Sequence, residues 1–106
     1  MHYINFDSIE NYYQRLVFQT ILAELSESAL AKQPGALEDV ACLALNQLPP
    51  RYIRHAVDTA FFLSIIEQQE MIQTVKEAVQ RAARFVADHP RQPLTGELPK
   101  GELPGA

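Results

Sequence analysis

Arg51, Tyr52, Arg54 and His55 form the densest set of side chains with ligand chemistry in the chain. An arginine guanidinium forks onto a phosphate or onto O6 and N7 of guanine, and a tyrosine ring offers a face on which a base can stack. Pro49 and Pro50 stand immediately before the set and stiffen the backbone that presents it. Spacing alone says little, because Arg81 and Arg84 repeat the same interval on what reads as an ordinary solvated helix face. Asp39 and Asn46 are polar residues on a stretch dominated by apolar neighbours. They are placed either to meet a ligand or a partner's backbone, or to form a plain solvated edge.

No other grouping supports catalysis. A serine hydrolase needs a nucleophile, a histidine and an orienting acid, whereas Ser8, Ser26, Ser28 and Ser64 all read as helix starts or loop residues. Gly35 is the only glycine before residue 96, so a glycine-rich phosphate loop is absent. Cys42 is the only cysteine, which excludes an internal disulfide and any zinc site with two thiolates from one chain. It reads as a small core hydrophobe rather than a reactive thiol. His2, His55 and His89 lack metal-ligand spacing. The expectation is a non-enzymatic protein without metal or cofactor.

The elements that position these residues are helical. A first helix is expected from Asp7 or Ser8 as N-cap to about Leu25, with Ile9, Tyr13, Val17, Ile21 and Leu25 recurring every fourth residue and Tyr12, Leu16 and Leu22 beside them. Residues 26–35 read as a connection ending in the turn pair Pro34 and Gly35. A short helix over 36–47 follows, with Leu37, Val40, Ala41, Ala44 and Leu48 on one face, and the double proline ends it. Residues 51–63 read as irregular, with Tyr52, Ile53 and Arg54 extended. Ser64 followed by Glu67 is a capping box that opens a last helix running to about His89, before Pro90. On it Ile65, Ile72, Val75, Val79, Ala82 and Val86 follow heptad spacing, Met71, Ala78 and Phe85 make a second stripe, and Glu67, Glu70, Thr74, Glu77, Arg81, Arg84 and Asp88 form a solvated back. The fold class is therefore all-α: one small domain of three main helices over residues 1–89. Residues 90–106, with four prolines and three glycines, form a flexible tail that cannot build a core of its own.

Composition bounds the partners. A chain of 106 residues, 47% of them hydrophobic, holds one domain. The net charge of −4 gives no basic field for binding a long phosphate backbone, so a nucleic-acid polymer is not an expected partner. The most apolar run, residues 56–66, is interrupted by Asp58, Thr59 and Ser64 and is too short to span a membrane. Residues 1–7 lack the basic start and apolar run of a secretory signal, so a cytoplasmic location is expected. The last helix carries two adjacent apolar stripes and the first a broad one, more than three helices of one chain can mutually cover. A homodimer joined through the last helix is the expected consequence.

The segment DVACLALNQLPPRY over residues 39–52 resembles the signature of the late competence development protein ComFB family, close to DV-x-A-LALN-x-LPP-x-Y, with Cys42 where the family commonly has alanine. The resemblance extends by pattern over residues 5–89. It implies a small α-helical, intertwined homodimer of bacterial origin and, in some relatives, a receptor for cyclic di-GMP. Many relatives carry clustered cysteines just before the aspartate, where this chain has QPGALE over 33–38, so no zinc binding is carried over. On this reading the dimer binds cyclic di-GMP through Arg51, Tyr52 and Arg54, with Asp39 and Asn46 as further candidates for the guanine edge, and signals to a partner protein. The alternative is a protein-protein interaction and dimerisation module without a small ligand.

Overall fold

The computed structural model describes residues 3–54 and 63–90. Among them the chain is mainly α-helical: α1 (Tyr12–Leu25), α2 (Ala36–Asn46) and α3 (Ile65–Asp88), with a two-stranded antiparallel pair of β1 (Glu10–Asn11) and β2 (Tyr52–Ile53). In that pair Glu10 stands opposite Ile53 and Asn11 opposite Tyr52. The proposed tail, apart from Pro90, and His55 lie outside the described residues.

The first helix starts later than its apolar period suggests. Asn5 caps only a 3-10 turn over Phe6–Ser8, its side chain accepting from the Asp7 N–H, and Ile9 is extended. Pairing with β2 keeps residues 10 and 11 extended as well, so Asn11, and not Asp7 or Ser8, becomes the N-cap. Ile9 is consequently outside the helix and 45% exposed. Tyr13, Val17 and Ile21 are buried as their four-residue spacing requires, while Leu22, on the flank, is exposed.

The connection after α1 contributes to the core, because a 3-10 turn over Ala29–Lys32 buries Leu30. Gly35 then adopts φ +79, the left-handed region, and its carbonyl accepts the first helical bond of α2 from the Asp39 N–H at 3.0 Å. Glu38 and Asp39 in the first turn suit the positive end of the helix dipole. Val40 and Ala44 are fully buried and Ala36 and Ala41 nearly so, but Cys42 is exposed, contrary to its reading as a core residue. Its position explains this: it is two residues from both Val40 and Ala44 and points away from them on a 3.6-residue turn.

α3 begins where expected. The Ser64 side chain accepts from the Glu67 N–H at 3.0 Å, and the helix ends with His89 as C-cap before Pro90. Met71, Val75, Ala78, Val79, Ala82 and Val86 are buried against α1 and α2, and these two also pack on each other. Ala44, Ala78 and Ala82, all without exposed surface, let α2 and α3 approach closely. The heptad stripe is buried only in part, since Ile65 is 74% and Ile72 43% exposed, and Phe85 of the second stripe is 53% exposed. Arg81, read as pure solvation, also donates from Nε to Gln47 Oε1 at 2.9 Å and so ties α3 to the end of α2.

Candidate functional site

One side chain fixes the segment that carries Arg51 and Tyr52. Asn11 Oδ1 accepts from the Tyr13 N–H at 3.2 Å, which caps α1, and from the Arg51 N–H at 3.1 Å, forty positions away. The Tyr12 N–H donates to the Arg51 carbonyl at 2.7 Å. Helix start, strand pair and the residue after the double proline are thereby one hydrogen-bonded unit.

Because side chains alternate along an extended backbone, Arg51 and Tyr52 serve different surfaces. Tyr52, 69% exposed, borders an open groove of about 480 Å3 whose other walls include Ile9, Asn11, Gln14, Arg15, Phe18, Gln19 and Leu22. At its edge Arg15 Nη2 meets Glu10 Oε1 at 2.9 Å in a half-exposed ion pair. The groove thus joins two aromatic rings, three carboxamides and one guanidinium. Arg51 instead lines a cleft of about 340 Å3 with Tyr13, Leu63, Glu67, Glu70, Met71 and Thr74, where two carboxylates share the opening with the arginine.

The remaining candidates lie apart from both. Asp39 borders a third, shallow concavity of about 230 Å3 with Cys42, Leu43, Phe85, Val86 and His89. There the Phe85 and His89 rings stack with centroids 4.1 Å apart, and His89 Nδ1 lies 2.9 Å from the Phe85 carbonyl. Asn46, the last residue of α2, and Arg54, just beyond β2, are exposed and border none of these three concavities. Of the five residues singled out from the sequence, Arg51 and Tyr52 are adjacent but face opposite sides, and Asp39 is elsewhere. Arg15 and Phe18 are not among the residues singled out, and Leu22 reads from the sequence only as a flank of the buried stripe. Their spacing of three and four residues, one face of α1 away from Tyr13, Val17 and Ile21, is the signal that marks them. Among the described residues no three His, Cys, Asp or Glu side chains come together as a metal site, and no helix is long and apolar enough to cross a membrane.

These features define a small, mainly α-helical domain in which the three concavities described open to solvent. Residues 10–90 match the family model of the late competence development protein ComFB, and the chain belongs to that family. Comparison with curated proteins and with solved structures gave no match.

Proposed function

We propose that this chain is a non-enzymatic bacterial regulatory domain, acting in the cytoplasm as a homodimer, that binds cyclic di-GMP and signals its occupancy to a partner protein. The observation that carries the reading is the Tyr52 groove. Tyr52 and Phe18 offer ring faces for a guanine, the Gln14 and Gln19 carboxamides and the Glu10 carboxylate offer partners for its edge, and Arg15 offers a fork for a phosphate. Arg54 is exposed just beyond β2, two residues after Tyr52 and outside the groove's lining, and is the candidate for a second cation at its rim. Arg51 is less suited, because Glu67 and Glu70 beside it repel a phosphate. Asp39 and Asn46 take no part in this site within one chain.

The test is a calorimetric titration of the purified protein against cyclic di-GMP and a panel of other cyclic di- and mononucleotides. Saturable binding is expected, and Tyr52→Ala, Arg15→Ala and Arg54→Ala should each weaken it by about 1–3 kcal/mol, the usual value of a stacked base or a charged hydrogen bond. Flat traces with the whole panel would remove the receptor reading. The second reading, an interaction and dimerisation module without small ligand, is favoured by exposed Ile65 and Ile66 on the first turn of α3, at 74% and 68%. Light scattering decides the assembly under either reading: a mass of 12.0 kDa at tens of micromolar protein would refute the homodimer.

A further inference from the structure

The third concavity has an apolar floor and wall, Leu43 of α2 and Phe85 and Val86 of α3, with Cys42, Asp39 and His89 around them. Phe85 is 53% exposed although it sits where the α3 periodicity calls for burial, and its ring is already laid flat on that of His89. His89 caps α3, and the chain leaves at Pro90, so residues 91–106 depart from the edge of this same concavity. Those residues carry Leu94, Leu98 and Leu103 set among prolines and glycines. Their composition is too poor in apolar residues to build a core of their own, and the chain enters this segment from Pro90, beside an apolar surface that is bare.

We infer that the chain's own C-terminal segment, through Leu94 and Leu98, docks over the concavity between α2 and the end of α3 and covers Phe85 and Cys42. Reach is sufficient: at about 3.3 Å per extended residue, the four steps from Pro90 to Leu94 span roughly 13 Å. Tethering supplies an effective concentration on the order of millimolar, so a contact too weak to hold a free peptide is populated in cis. Pro93 and Pro99 restrict the backbone beforehand, which lowers the entropy lost on docking. The segment also carries as many acidic as basic side chains, Glu97 and Glu102 against Arg91 and Lys100, so the acidic domain does not repel it. This inference is independent of the Tyr52 groove, which lies on α1 and β2.

Cys42 provides the readout, because it is the only thiol in the chain and borders the concavity. The experiment follows the rate at which a chromogenic disulfide reagent modifies Cys42 in the full chain and in the full chain carrying Leu94→Asp with Leu98→Asp, over a hundredfold range of protein concentration. A several-fold faster reaction in the double variant is expected, with the rate of the unaltered chain independent of its concentration. Equal rates in the two proteins would overturn the docking. So would a rate for the unaltered chain that rises on dilution, which would assign the cover to a second copy. Leu94→Ala with Leu98→Ala gives the same comparison should the aspartates disturb folding, as judged by circular dichroism.

Discussion

Replacing Asn11 by alanine removes one oxygen that serves two long-separated amides, and its cost follows from the geometry. Loss of a helix N-cap costs about 1 kcal/mol, within a range of about 0.5–2. The second acceptor bond, from the Arg51 N–H, is worth about another 1 kcal/mol at the usual net value of a protein hydrogen bond. The Tyr12 N–H to Arg51 carbonyl bond survives the substitution and keeps the strand pair from separating outright. The expected destabilisation is therefore about 2 kcal/mol, which for a domain of this size lowers the melting temperature by roughly 8–16 °C. Urea unfolding followed by far-ultraviolet circular dichroism, at one fixed protein concentration so that any association contributes equally, measures it. Asn11→Asp keeps an acceptor at the same place and should retain most of the stability. Asn5→Ala removes a cap of similar type from an exposed 3-10 turn and should cost less than about 0.5 kcal/mol. A loss below about 0.5 kcal/mol for Asn11→Ala, or equal losses at positions 5 and 11, would refute the idea that Asn11 locks the start of α1 to the strand pair.

Two further substitutions test the packing and the backbone. Val79→Ala, at a site only 1% exposed, should cost about 1.5–3 kcal/mol of unfolding free energy, whereas Ile66→Ala, at 68%, should stay within about 0.5 kcal/mol in dilute protein. Gly35→Ala should cost about 1 kcal/mol by urea unfolding. The penalty is conformational alone, because a Cβ there would meet nothing closer than Glu38 Oε2 at 3.9 Å while φ is +79.

How much of this was legible in the chain depends on the range of the interaction that decides each feature. The Ser64 cap, the end of α3 before Pro90 and the end of α2 before Pro49 are set by residues within four positions of the boundary, and all three are where the sequence places them. The start of α1 is set by a contact with residue 51, and nothing near Asp7 or Ser8 discloses that Asn11 has a partner forty positions on. A strand pair two residues long carries no periodicity at all, so Tyr52 and Ile53 could be read as extended but not as paired. The ligand candidates divide on the same ground. Arg51 and Tyr52 share a short stretch of sequence, and an extended backbone turns that closeness into opposite faces. Asp39 belongs to α2, and only the tertiary packing of α2 on α3 decides that it borders Phe85 and His89 rather than Tyr52.

The apolar stripes show a different limit. A hydrophobic period counts the side chains that would gain from burial, not the surface available to bury them. Two neighbours, α1 and α2, cover α3 from Met71 to Val86, and that coverage ends before the first turn, where Ile65 and Ile66 remain bare. On α1 the buried set at positions 13, 17 and 21 faces the other helices, leaving Phe18 and Leu22 on the outside at 44% and 66%. A large apolar side chain left in water forgoes up to about 1.5–3 kcal/mol of burial, so these four residues on two helices favour association. Neither patch is explained by the needs of the fold, since Val17, Val40, Val75 and Val79 already fill the interior without them. The large apolar residues that escape burial are therefore those from which this domain's contacts with other molecules are to be sought, with α1 presenting the Tyr52 groove and the first turn of α3 a separate apolar edge.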